Sequence, residues 1–73
     1  MKPLTKRQAE ALMHIQIFTT KHNYPPTNRE LADIMGVSSS STVHGFLDRL
    51  EKKGFISRED GKPRALKVIR NAV

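Results

Sequence analysis

The sequence contains no cysteine and no tryptophan, and its aromatic content is three Phe and one Tyr in 73 residues. Without cysteine there is neither a disulfide framework nor a thiolate metal site, so a small core must be held by packing or by a partner. No apolar run approaches the roughly 18 residues of a membrane span, and no membrane partner is expected. The basic start, Met1-Lys2-Pro3-Leu4-Thr5-Lys6-Arg7-Gln8, leads into an amphipathic pattern in place of the apolar core of a secretory signal, so a cytoplasmic location is expected. Acidic residues are the minority: 7 Asp and Glu face 13 Lys and Arg, a formal net charge of +6, which favours a polyanionic partner. His14, His22 and His44 have neither cysteines nor paired carboxylates at ligand spacing, so no metal and no other cofactor is expected. No serine has a base placed to activate it, and so short a chain has no room for a deep cleft, so no catalytic residue is expected either. One core, and one domain over residues 1–73, is what a chain of this length supports.

What is present is punctuated helix. Thr5-Lys6-Arg7-Gln8 is a capping box, and Ala11, Leu12, Ile15 and Phe18 follow at helical spacing, with Asn23 as a stop; a first helix is predicted over about residues 6–21. Tyr24-Pro25-Pro26 forces a turn, because proline lacks the N–H that a helix needs and extends the residue before it. Thr27-Asn28-Arg29-Glu30 is a second capping box, with Leu31, Ala32, Ile34 and Met35 as the apolar face of a short helix and Gly36 as its left-handed end. The four serines Ser38 to Ser41 resemble a linker in isolation. The stripe Val43, Phe46, Leu47 and Leu50 argues otherwise, since it requires a helix over about residues 40–53 that serine caps well and Gly54 ends.

Two short helices joined across Gly36-Val37-Ser38 have the form of a helix-turn-helix. Phe55-Ile56-Ser57-Arg58 and Ala65-Leu66-Lys67-Val68-Ile69 read as strands joined by the turn residues Glu59-Asp60-Gly61-Lys62-Pro63. The predicted fold is mainly α with a small β-hairpin: a winged helix-turn-helix of three helices and a two-stranded wing. Phe18, Phe46 and Phe55 are assigned to its core, not to base stacking.

If Val43, Phe46, Leu47 and Leu50 face inward, a turn of about 100° per residue puts Ser41, His44, Gly45, Asp48 and Lys52 on or near the outer face. Short hydroxyls allow a helix to lie deep in a major groove, and Ser, Thr and His bond base edges. Gly45 has two explanations, a close approach of DNA or simple tolerance at an exposed site, and the spacing does not choose between them. Thr27, Asn28 and Arg29 lie at a helix N-terminus where phosphate binds, although Thr27 is also the cap. Lys52 and Lys53 meet either phosphate or their own helix dipole, and Lys62 and Arg64 either line a groove or form a solvated hairpin tip.

Taken together, Leu4-Thr5-Lys6-Arg7-Gln8, Tyr24-Pro25-Pro26-Thr27-Asn28-Arg29-Glu30-Leu31, Ser39-Ser40-Ser41-Thr42-Val43-His44-Gly45, Leu47-Asp48-Arg49-Leu50-Glu51-Lys52-Lys53-Gly54-Phe55-Ile56 and Lys62-Pro63-Arg64-Ala65 resemble the DNA-binding domain of the LexA family, repressors of the bacterial DNA-damage (SOS) response, in its Gram-positive branch. The resemblance implies transcriptional repression through palindromic double-stranded operators with GAAC-type half-sites. It places Ser39, Ser41, Thr42, His44 and Gly45 at base-reading positions and Asn28 and Arg29 on phosphate. It also implies a further dimerising domain, with a Ser-Lys dyad that self-cleaves when RecA filaments activate it. This chain shows no counterpart of that domain, so it is expected not to self-cleave, to meet RecA only through a full-length parent, and to be a monomer that pairs on DNA. An excised domain and a naturally short relative both fit. Two further roles stay open: a winged-helix protein-interaction module, which Asp48 on the outer face would suit, and a short competitor of a full-length repressor.

Overall fold

The computed structural model describes residues 4–59, 64 and 66–69. The predicted turn at Asp60-Gly61-Lys62-Pro63, together with Ala65, Met1 to Pro3 and Arg70 to Val73, lies outside them. Three helices, α1 (Lys6–His22), α2 (Asn28–Met35) and α3 (Ser40–Lys52), precede two strands, β1 (Ile56–Arg58) and β2 (Leu66–Val68). The strands pair antiparallel with Ile56 opposite Val68 and Arg58 opposite Leu66. This is the expected winged helix-turn-helix.

Local chemistry sets each boundary. At the start of α1 the Thr5 hydroxyl accepts from the Gln8 N–H (3.2 Å) while Gln8 Oε1 accepts from the Thr5 N–H (3.1 Å). Thr27 and Glu30 repeat that exchange at α2, at 3.2 and 2.8 Å. These reciprocal bonds satisfy donors that the first helical turn leaves over. Ser39 caps α3, its Oγ accepting from the Ser41 N–H at 3.1 Å, so the serine tract is a turn and a cap.

Two helices end by the same device. After α2, Gly36 at φ 71° lets its own N–H reach Asp33 O and the Val37 N–H reach Ala32 O. After α3, Gly54 at φ 81° sends its N–H to Glu51 O and the Phe55 N–H to Leu50 O. Both are Schellman turns, which need a left-handed residue and so favour glycine. Each also delivers an apolar residue, Val37 or Phe55, back to the core. Asn23, at φ 65°, ends α1 in the same backbone region.

The core joins Ala11, Leu12 and Ile15 of α1 to Leu31 and Ala32 of α2, Val43, Leu47 and Leu50 of α3, and Phe55 and Ile56 at the wing's root. Every helix packs on the other two, and β1 packs on α3. The outcome departs from the predicted stripes in two places, at Ile34 and Phe18. Ile34 is 43% exposed, because burial of Leu31, Ala32 and Met35 centres the inner face of α2 about 100° away from it. Phe46 follows its stripe: half-buried, it packs against the core, with the Arg7 guanidinium 5.9 Å from its ring centroid. Phe18 is half-buried in an aromatic group outside the core, with ring centroids 4.2 Å from His22 and 5.8 Å from Tyr24. Among the described residues no buried side-chain polar atom lacks a partner, and no helix is long and apolar enough to cross a membrane.

Candidate nucleic-acid interface

With Val43, Leu47 and Leu50 all at 2% exposure or less, the rotation of α3 is locked. Ser39, Ser41, Thr42, His44 and Gly45 are all exposed on its amino-terminal half and cap. No carboxylate lies in the first turn of α3. The front of the helix therefore presents hydroxyls, an imidazole and bare backbone, a surface that can donate to and accept from base edges without repelling phosphate. Around Gly45, a Cβ would meet nothing within 4 Å, so packing inside the domain does not require glycine there.

Asp48 is the carboxylate that opposes this reading. Its Oδ2 lies 3.3 Å from Lys52 Nζ and its Oδ1 lies 3.9 Å from Arg58 Nη2. Arg58, with its side chain only 20% exposed, also bonds Glu51 Oε1 at 3.1 Å. Lys52 and Arg58 together balance the charges of Asp48 and Glu51, which weakens the repulsion of a polyanion at the carboxy-terminal half of α3.

The backbone-contact candidates divide. Arg29 is exposed and Asn28 half-exposed at the start of α2. Arg29 lines a depression together with Asp33, Val37, Ser38, Ser39 and Ser40, so it lies on the same side of the turn as the amino end of α3. Lys52, with 70% of its side chain exposed, lies over Asp48. Three others are engaged within the fold. The Thr27 oxygen caps α2. Lys53 Nζ donates to Gln8 Oε1 at 2.8 Å, tying the end of α3 to the start of α1. Arg64 holds Glu30 through two nitrogens, at 2.9 and 3.0 Å. Lys62 lies outside the described residues.

Glu30 is the group that the sequence did not single out beyond its capping role. The Arg64 guanidinium, and next the Thr27 N–H, hold its carboxyl at about 2, below the ordinary 4.5; the same pairing raises Arg64. A carboxylate depressed on folding stabilises fully above its unfolded value and loses that contribution as pH falls through 4.5 towards 2. The melting temperature of the wild type should therefore drop more steeply than that of Glu30→Gln between pH 5 and pH 2, roughly the window of carboxylate titration. Parallel melting curves across that range would show that Glu30 is not held in this way. Among the described residues, no cluster of three or more His, Cys, Asp or Glu could hold a metal ion.

A locked helix with a polar, acid-free front, a preceding helix joined by a tight turn, and a hairpin behind them define a winged helix-turn-helix DNA-binding module. The family model for the LexA DNA binding domain matches residues 1–65. Proteins named LexA repressor align with 94% of the chain: 52% identical in Shouchella clausii (strain KSM-K16), and 48% identical in Staphylococcus epidermidis (strain RP62A) and in Staphylococcus aureus (strain N315). The chain belongs to the LexA DNA-binding domain family. It spans about a third of the length of these curated relatives, 33–34%.

Proposed function

We propose that this chain binds duplex operator DNA as the reading head of a LexA-like transcriptional repressor. Its α3 lies in the major groove, where Ser39, Ser41, Thr42, His44 and Gly45 meet base edges. The observation that carries the proposal is the exposed front of α3, free of acidic residues in its first turn and set beside Arg29. Asn28, Arg29 and Lys52 hold phosphates and set the register, and Lys62 extends those contacts into the wing. Thr27, Lys53 and Arg64 contribute by shaping the surface more than by touching DNA. Two copies occupy a palindrome of GAAC-type half-sites, because a single head reads one half-site and its few phosphate contacts give weak, salt-sensitive binding. The domain over residues 1–73 is itself non-catalytic and monomeric. Control by self-cleavage and RecA is proposed for a longer LexA-like protein of which such a head is one part.

A fluorescence-anisotropy titration of a GAAC palindrome against a scrambled duplex of equal composition, at low and near-physiological salt, tests this. Preference for the palindrome that survives the higher salt is the expected result. Equal and salt-labile binding to both would leave only a basic surface and would favour a protein-interaction module.

Gly45 offers a sharper check, because fold and function pull it in opposite directions. Gly45→Ala should stabilise the free domain by up to about 1 kcal/mol, the helix-propensity difference, as the added methyl meets nothing. Operator affinity should fall in the same variant, since that methyl would occupy the space at the groove. A variant that melted higher and bound as well as the wild type would show that DNA does not approach Gly45 closely.

A further inference from the structure

Arg64 is joined to residues far away in the sequence. Its Nη1 lies 2.9 Å from Glu30 Oε1 and also donates to the Pro25 carbonyl at 2.9 Å, while Nη2 donates to Glu30 Oε2 at 3.0 Å. The guanidinium carbon stands 4.5 Å from the Tyr24 ring centroid. A carboxylate, a carbonyl and an aromatic face thus receive one planar cation, the combination of bidentate and stacking contacts that arginine makes and lysine does not. Glu30 is held in turn, because its Oε1 also accepts the Thr27 N–H at 2.8 Å.

The position of Arg64 in the hairpin gives this seat its meaning. The described ladder ends at the pair of Arg58 and Leu66, and Arg64 lies just before Leu66, on the chain returning to β2. Arg58, on the opposite strand, is pinned to α3 through Glu51 and Asp48. The wing is therefore fastened at two points, by Arg58 to the recognition helix and by Arg64 to the first turn of α2. A two-stranded hairpin is marginally stable by itself, so such ties decide where it points.

We propose that Arg64 is a positioning residue for DNA binding: through Glu30, Pro25 and Tyr24 it fixes the wing against α2, and it does not itself contact phosphate. The inference rests on the DNA-binding reading above. Under it, Glu30 aids DNA binding although it carries the charge of the wrong sign for that partner.

That reversal of sign is the test. Glu30→Gln keeps an oxygen for the capping box, as Gln8 does on α1, while it removes the charge and replaces the second oxygen, which accepts from Arg64 Nη2, with an amide donor. Operator affinity is measured by anisotropy for the wild type, Glu30→Gln, Arg64→Gln, Arg64→Lys and the double variant Glu30→Gln/Arg64→Gln, with thermal unfolding followed in parallel. Both single Gln variants should lose about threefold or more in affinity, and the double variant should lose no more than Arg64→Gln alone, as expected for two partners in one interaction. Arg64→Lys should remain weakened, because it keeps the charge but not the bidentate fit; melting temperatures at neutral pH should fall where the Glu30 carboxylate is lost, but every variant should stay folded at the temperature of the titration. A direct phosphate contact predicts the reverse: Glu30→Gln would bind tighter than the wild type, Arg64→Lys would bind nearly as the wild type does, and Arg64→Gln would still lose affinity in the Glu30→Gln background. Either that pattern or unchanged affinity throughout would overturn the positioning role. Failure of the wild type to prefer the operator, read in the same titration, would instead overturn the DNA-binding reading.

Discussion

Leu50→Ala should cost about 2–5 kcal/mol, the range for emptying a fully buried leucine site, and should leave the free domain at the edge of unfolding. Leu50 is 0% exposed in α3, which packs against α1, α2 and β1. Its carbonyl also accepts the Phe55 N–H in the turn that returns the chain to the wing. Loss of the side chain empties a site in the core cluster to which all three helices and the wing's root contribute. A single core in a chain of this size rarely supplies more than about 3–5 kcal/mol, and no disulfide adds to it. Urea unfolding followed by circular dichroism would read the change as a lower midpoint or a missing folded baseline. Ile17→Ala is the control: Ile17 is 55% exposed, and the expected change is within about 0.5 kcal/mol. If both variants unfolded alike, Leu50 would not be the keystone that its burial indicates. Operator DNA, binding only the folded form, should partly restore the melting temperature of Leu50→Ala by mass action.

Much of this architecture was legible because the signals that set it are local. Thr5 with Gln8 and Thr27 with Glu30 are three residues apart, so each capping box could be read as a word. Gly36 and Gly54 could be recognised as stops because the geometry there excludes most other residues. The serine tract was decided by the apolar stripe downstream of it, since Val43, Leu47 and Leu50 demand a helix whatever precedes them. The illegible part is long-range pairing. Lys53 finds Gln8 at a separation of 45 residues and Arg64 finds Glu30 at a separation of 34. In the sequence both cations look like spare positive charge for a polyanion. Only the packing of α1 on α3, and of the wing beside α2, shows that the fold uses them first. Ile34 failed for a related reason, as its three-residue spacing from Leu31 is compatible with the inner face until the rotation of α2 is known. Periodicity states which residues share a face and leaves open how a short helix is turned.

Replacing both Ser41 and His44 by alanine should remove most of the discrimination between operator and random duplex, about 1–3 kcal/mol for each base-edge interaction removed. Both residues are exposed at the front of α3 and separated from the buried stripe by the helix's rotation, so the core has no stake in them. Alanine is the strongest helix former, and the cap is retained, because Ser39 Oγ accepts from the backbone N–H of residue 41, which the substitution leaves in place. The folded domain should therefore be unchanged or slightly more stable. Neither substitution removes a Lys or Arg, so the counterion-release part of binding, which sets affinity for random DNA, should persist with its salt slope nearly intact. The expected signature is a fall in operator affinity onto the random-DNA line while that line stays in place. Parallel loss on both duplexes would mean that the two side chains serve general adhesion, and retained discrimination would move base reading away from the front of α3. The design separates the two kinds of contact because this surface separates them: small polar groups stand at the amino-terminal half of α3, and the charges stand away from them, Arg29 on α2 and Lys52 at the carboxy-terminal end of α3.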